Sequence, residues 1–171
     1  MNRAMFLDRD GVLNELVKRD GGYYSPRVSS SFRIIPESVE ITKRTKELGY
    51  LNIVISNQPD VARGYMDGSE LEKMTRALID ELTIDDVFYC THDDADLCHC
   101  RKPAPGLFNQ AADRWEIDLK HSYMIGDTCK DVEAAKNASV ECLLLDRTYN
   151  ADCGDVNRIN ELEDILNFIR K

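Results

Sequence analysis

Apolar stretches of strand length alternate with helix-period patterns along the whole sequence. The strand-like runs lie at 4–8, 51–56, 86–90, 122–126 and 141–145. The helical patterns lie at 37–48, 69–82, 106–115, 129–138 and 160–170. A strand followed by a helix rejoins the same sheet only through a right-handed crossover, so this alternation predicts a parallel α/β sheet. The β-branched run Ile53-Val54-Ile55 reads as a buried strand. Gly49 is placed to end the first helix. The length of 171 residues, with 43% hydrophobic content, predicts one domain spanning 1–171. The stretch 14–36 is the longest without a helical or strand pattern and is expected to be a long loop, which in compact domains is commonly functional. No insertion is large enough to form a separate cap domain.

The chemistry-bearing residues follow the strand-like runs, at the sheet edge where parallel α/β proteins gather ligands. Behind Ala4-Met5-Phe6-Leu7 stands Asp8-Arg9-Asp10-Gly11. Two carboxylates this close repel unless a positive charge sits beside them, and Mg²⁺ prefers carboxylate and carbonyl oxygens. Gly11 marks a turn. The run ending at Ile55 passes into Ser56-Asn57-Gln58, a hydroxyl and two amides suited to phosphate oxygens. Arg101 and Lys102 precede a Pro-framed helix start and supply fixed cations for a phosphoryl group. A further run ends in Gly126-Asp127-Thr128, and Asp131 follows about one helical turn beyond Asp127.

The formal net charge of −9 argues against a nucleic-acid surface and repels anions at long range. Any phosphate site must therefore be locally basic, and Arg9, Arg63, Arg101 and Lys102 are available for it. The amino-terminal residues carry no apolar stretch of signal-peptide length, and no segment reaches membrane-spanning length. The expectation is a cytoplasmic monomer with no membrane partner.

Three of the six cysteines crowd one short stretch, Cys90-x-His92 followed by Cys98-x-Cys100. This density of soft ligands matches a closed, tetrahedral, structural Zn²⁺ site. Cys90, His92, Cys98 and Cys100 are the expected ligands, with His99 the rival. Disulfides are not expected in a cytosolic protein. Cys129, Cys142 and Cys153 are therefore read as small buried hydrophobes.

Taken in order, the Asp8–Gly11 phrase, the strand ending in Ser56, Lys102 and Gly126-Asp127…Asp131 resemble the four motifs of the haloacid dehalogenase superfamily of phosphotransferases. The resemblance spans roughly residues 4–147. It implies a Rossmann-like three-layer α/β/α fold with a mostly parallel sheet and no large cap, Mg²⁺ dependence and an aspartyl-phosphate intermediate. By motif matching, Asp8 is the nucleophile and Asp10 the general acid/base. Ser56 and Lys102 hold the transferring phosphoryl group. Mg²⁺ is held by Asp8, the Asp10 carbonyl and Asp127, while Asp131 orients Lys102 or a metal-bound water. The acid role requires Asp10 to start protonated and Asp8 ionised, so their environments are expected to push the two apart.

The zinc loop and Cys100-Arg101-Lys102-Pro103 narrow the likeness. Here the chain is similar to the D-glycero-D-manno-heptose 1,7-bisphosphate phosphatases and the related histidinol-phosphate phosphatases. The heptose reading is favoured by Asp20-Gly21-Gly22-Tyr23, which that family uses as a substrate loop, and by Ala62-Arg63-Gly64. It implies a small phosphorylated sugar as substrate, with Asn57, Gln58, Arg63, Arg101 and Thr128 beside it. Pro59-Asp60 replaces the small residues usual after the amide pair, and Thr128 stands where Lys is common. Both departures bear on which sugar is taken. The alternatives are histidinol phosphate, whose amine would favour an acid such as Asp60, and a zinc-stabilised binding module without catalysis.

Overall fold

The computed structural model describes residues 1–169. The elements are β1 (Arg3–Leu7), β2 (Val17–Arg19), β3 (Gly22–Tyr24), α1 (Pro36–Glu47), β4 (Tyr50–Asn57), α2 (Gly68–Glu81), β5 (Asp86–Cys90), α3 (Gly106–Trp115), β6 (Tyr123–Gly126), α4 (Cys129–Asn137), β7 (Glu141–Leu145) and β8 (Asn157–Ile159). Six strands form one sheet in the order β5-β4-β1-β6-β7-β8, every pair parallel. The order runs outward from β1 in both directions. The strand ends around β1 therefore flank a topological switch point, where a ligand crevice forms.

Strand periodicity divides the core into two. Met5 and Leu7 of β1, with Val54 and Ile125, face a cluster completed by Ile41 of α1 and Met74 and Leu78 of α2. Ala4 and Phe6, with Ile53, Ile55 and Met124, face Leu107, Phe108 and Ala111 of α3 and Ala134 and Ala135 of α4. Side chains alternate across a strand, so both faces of the central strands are apolar and both need covering helices. The result is the three-layer α/β/α arrangement. Gly49, at φ +84°, follows α1 and donates to the Lys46 carbonyl, as a helix-ending glycine does.

Four expectations need correction. The 14–36 stretch contains a two-stranded antiparallel hairpin, β2 with β3, and a single 3₁₀ turn at Ser29–Ser31. Asp20 and Gly21 form its two-residue turn with φ +46° and +80°, the geometry that Asp-Gly favours. The pattern at 160–170 is a 3₁₀ helix over Leu162–Asn167, with Leu162 and Ile165 on the core, and position 170 lies outside the described residues. Strand β8 adds an edge beyond the five expected strands. Finally, Cys129 and Cys153 are joined as a disulfide, whereas Cys142 is a buried thiol. The crossover through β7 brings together two cysteines that lie 24 positions apart in sequence.

Candidate active site

Asp8 leaves the end of β1 with its backbone N–H donating to the Ile125 carbonyl at 2.9 Å. The chain then turns, with Leu13 N–H returning to the Arg9 carbonyl at 2.8 Å. Gly11 sits at φ +86°, and a Cβ there would lie 2.1 Å from Asp127 Oδ2, so no larger residue fits. The turn thus closes on the end of β6 and brings the first and last acidic motifs together.

Lys102 ties these motifs to β4, the strand that carries Ser56. Its Nζ lies 3.0 Å from Asp8 Oδ1, donates to Asp131 Oδ1 at 2.6 Å and to the Ile55 carbonyl at 3.1 Å, and is almost wholly buried. Burial alone would lower its pKa, but Asp131 and Asp8 outweigh that and raise it, so the ammonium is fixed. The other oxygen of Asp131 accepts from Thr128 N, Thr128 Oγ1 and Asp127 N. Both Asp131 oxygens are therefore engaged, and its carboxylate is the joint between Lys102 and the start of α4. Thr128 caps that helix while lining the cavity.

Asn57 and Gln58 line the cavity, but their amides are engaged within the protein. Asn57 donates to the Lys102 carbonyl and accepts from Lys102 N–H, both at 3.0 Å. Gln58 donates to Asp10 Oδ2 at 2.8 Å and to Ser56 Oγ at 3.0 Å. Arg9 does not line the cavity. It is fully buried beneath it, with Nε and Nη2 on Asp10 Oδ1 at 3.1 and 2.9 Å, and between the rings of Phe32 and Tyr89. Asn14 adds a further donor to Asp10 Oδ1 at 3.0 Å.

These contacts order the two acids opposite to expectation. Burial would raise Asp10, but Arg9 and the donors from Asn14 and Gln58 outweigh it and hold its pKa below the usual range. Asp8 is pushed up to about 8, by burial first and then by Asp131, with Lys102 opposing. Asp127 is pushed to about 7, by burial and then Asp131. Asp8, Asp127 and Asp131 each bring a carboxylate oxygen within 4.8 Å of the others. Asp127 Oδ1 is buried without a partner. A hard divalent cation is what such a set lacks, since it would satisfy that oxygen and relieve the repulsion. The donor set fits Mg²⁺ through Asp8 and Asp127.

The cavity over these groups has a volume of about 630 Å³. It is lined by Gly22 and Tyr23 of the hairpin and by Arg63 and Arg101, with buried Lys102 at its floor beside Asp8. Asp20 and Gly21 form the hairpin tip and do not line it. Sequence reasoning passed over Arg19, Tyr24, Arg27, Lys130 and Tyr149, which do. Asp60 does not stand free beside the cavity, because Arg27 Nε donates to it at 2.6 Å.

At the end of β5, Cys90, His92, Cys98 and Cys100 converge. Cys100 Sγ lies 3.1 Å from Cys90 Sγ and 3.5 Å from Cys98 Sγ, and His92 Nδ1 lies 3.3 Å from Cys100 Sγ. A tetrahedron with Zn–S bonds of ~2.3 Å has S···S edges of ~3.8 Å, close to this spacing. Burial would raise the Cys98 thiol, but the N–H groups of Arg101 and Cys100 outweigh it and lower it to about 7, favouring thiolate. His92 belongs to this cluster and His99 does not. The same loop carries Asp93 and Asp94, which hold Arg63 at 2.5 Å and Arg101 at 2.7 Å.

Comparison with known proteins agrees with this geometry. The family model for haloacid dehalogenase-like hydrolases matches residues 23–139. A D-glycero-beta-D-manno-heptose-1,7-bisphosphate 7-phosphatase of Helicobacter pylori is 39% identical over 150 residues, covering 84% of this chain and 83% of that one. The D-glycero-alpha-D-manno-heptose-1,7-bisphosphate 7-phosphatase of Campylobacter jejuni is 30% identical, covering 99% and 96%. The crystal structure of the D,D-heptose 1,7-bisphosphate phosphatase of B. bronchiseptica, complexed with magnesium and phosphate, superposes with a TM-score of 0.82 at 27% identity over 97% of this chain and 99% of that one. With the motifs, the sheet order and these relatives in agreement, the chain belongs to the haloacid dehalogenase-like hydrolases.

Proposed function

We propose that this chain is a Mg²⁺-dependent phosphatase that removes the 7-phosphate of D-glycero-D-manno-heptose 1,7-bisphosphate through an aspartyl phosphate on Asp8. The observation that carries the reading is the Asp8 carboxylate, held 3.0 Å from a buried lysine on the floor of a cavity rimmed by arginines. Asp8 and Asp127, with the Asp10 carbonyl, would hold Mg²⁺, which supplies positive charge to the phosphoryl oxygens when bound.

The chain's own residues do the rest. An Asp8 oxygen attacks phosphorus, the P–O bond to the sugar breaks, and the departing alkoxide takes a proton from Asp10. Lys102 and Ser56 hold the phosphoryl oxygens. Water then attacks the acyl phosphate, giving its proton to Asp10, and inorganic phosphate leaves. Asp10 is held ionised by Arg9 in this structure. A phosphate anion arriving beside Asp10 opposes that pull, and in that complex Asp10 takes up its proton. Gln58 and Asn14 aim Asp10, and Asn57 aims Lys102.

Tyr23, Gly22 and the arginines at positions 63 and 101 face the rest of the sugar. A Zn²⁺ held by Cys90, His92, Cys98 and Cys100 would pin the loop that carries Arg101 and Lys102, as a structural site. We take residues 1–171 as one such domain, acting as a cytoplasmic monomer. Among the described residues no helix is long and apolar enough to cross a membrane. Histidinol phosphate is disfavoured because Asp60, the acid available for its amine, is already paired with Arg27.

A phosphate-release panel tests the reading. Both anomers of the heptose bisphosphate, histidinol phosphate and a simple aryl phosphate are compared with and without Mg²⁺. A heptose anomer should have the highest kcat/KM and Mg²⁺ should be required. Preference for histidinol phosphate, or release independent of Mg²⁺, would overturn it.

A further inference from the structure

Asp127 is positioned from a stretch that carries none of the four motifs. The segment between β7 and β8 lays Tyr149 over it, and the Tyr149 hydroxyl donates to Asp127 Oδ2. The next residue, Asn150, is buried and donates to the Asp127 carbonyl at 2.8 Å and to the Leu145 carbonyl at 2.9 Å. The partner that Tyr149 supplies decides which carboxylate oxygen stays open: Oδ2 is taken, and Oδ1 is the buried oxygen without a partner. A carboxylate without that donor is free to rotate and present either oxygen.

Two features hold the segment in place. Arg158 donates to the Asn150 carbonyl at 2.8 Å. The disulfide between Cys153 and Cys129 fastens the segment to the first residue of α4, two positions after Asp127. The disulfide therefore closes a ring of chain that contains both orienting residues and begins two positions after the acid. The clip is reachable from solvent, since Cys129 is exposed. On its other side the Tyr149 ring meets Tyr23 of the hairpin, with centroids 6.2 Å apart.

We propose that Tyr149 is a positioning residue for the divalent cation, held over Asp127 by the Cys129–Cys153 clip, so that opening the clip weakens cation binding. This rests on the reading of Asp8 and Asp127 as the cation's ligands. Opening is thiol–disulfide exchange. A dithiol attacks one sulfur, the S–S bond breaks, and two cysteine thiols form as the dithiol becomes a cyclic disulfide. Oxidised glutathione reverses it, accepting the two electrons and becoming two glutathione thiols.

The test is Mg²⁺ binding to the zinc-loaded protein by titration calorimetry, with no substrate present. Proteins compared are oxidised wild type, wild type reduced by dithiothreitol with zinc in excess, Tyr149→Phe and Cys153→Ser. Groups that orient a ligand typically change metal affinity by about 10- to 100-fold when removed. Tyr149→Phe should weaken Mg²⁺ binding by that order, with the unfolding temperature of the Mg²⁺-free protein little changed. Reduced wild type and Cys153→Ser should shift the same way, and dithiothreitol should have no further effect on Cys153→Ser. A Mg²⁺ affinity within about twofold of wild type in Tyr149→Phe would overturn the positioning role, and unchanged affinity on reduction would overturn the clip. Wild type that binds no Mg²⁺ would overturn the assignment of Asp8 and Asp127 as ligands, and this inference with it.

Discussion

Replacing Arg9 with Met should be among the most damaging changes that leave every cavity-lining residue in place. Arg9 is fully buried, makes three hydrogen bonds to Asp10 and one to Gln58 Oε1, and lies 5.7 and 5.8 Å from the ring centres of Phe32 and Tyr89. Methionine refills much of the space between the rings but leaves a buried carboxylate with only Asn14 and Gln58 as donors. Removing one partner of a buried ion pair costs about 3–5 kcal/mol. At ~2–4 °C per kcal/mol for a chain of this size, the unfolding temperature should fall by roughly 6–20 °C. The cost comes mostly from the stranded charge, so Arg9→Met/Asp10→Asn should be more stable than Arg9→Met alone, with a coupling of about 2–3 kcal/mol. Asp10 also sets the pH window. Its folded pKa is lowered, so the pair's contribution is present above the unfolded value and fades as pH falls through the folded one. The gap between wild type and Arg9→Met should therefore narrow in acid. Urea unfolding of the four proteins of the cycle measures all of this. A loss below about 1 kcal/mol for Arg9→Met, or losses that simply add, would refute the buried-pair argument.

Zinc should be present at about one per chain. Stripping it should lower the unfolding temperature, and Cys98→Ser should reduce occupancy; full occupancy in that variant would remove Cys98 from the ligand set. On the proposed reading, Arg101→Ala should raise KM for the heptose bisphosphate far more than for an aryl phosphate, because its guanidinium lines the cavity and would read the part of the substrate that does not react. Lys102→Ala should damage both substrates alike, since its charge, 3.0 Å from Asp8, would serve the reacting phosphoryl group of either, and steady-state kinetics on the two substrates separates the cases. Metal-free protein should lose stability as pH rises from about 5 to 8. Asp8 and Asp127 keep protons in the folded state up to about 8 and about 7, well above the ordinary carboxylate range, so the folded chain binds more protons across that window. Added Mg²⁺ should flatten the slope, and a metal-free stability that rises with pH would contradict the assignment.

The central strands were legible because burial on both faces leaves a continuous apolar run, as in Ile53-Val54-Ile55, and each run ends where a motif begins. The hairpin was less so. Its strands are three residues each, too short for periodicity, and its one strong signal is Asp20-Gly21. The 3₁₀ helix at Leu162–Asn167 carries apolar spacing that a full α-helix would share. In sequence Arg9 reads as a cation available to a phosphate site, and only the fold shows it buried on Asp10. Tyr149 and Asn150 have no local signature, because their task is a contact with Asp127, more than twenty positions away. The Cys129–Cys153 pair was hidden for the same reason, and by an expectation drawn from compartment rather than from geometry. The convergence of Cys90, His92, Cys98 and Cys100 was legible because all four lie within one loop.

The most direct measurement is to trap the phosphoenzyme. Enzyme mixed with substrate and Mg²⁺ is quenched in acid within a turnover, digested, and its peptides analysed by mass spectrometry. Wild type should carry phosphate on the peptide containing Asp8, with less in the absence of Mg²⁺ and none in Asp8→Asn. Phosphate release at the wild-type rate by Asp8→Asn, or a phosphopeptide elsewhere in the chain, would contradict Asp8 as the nucleophile.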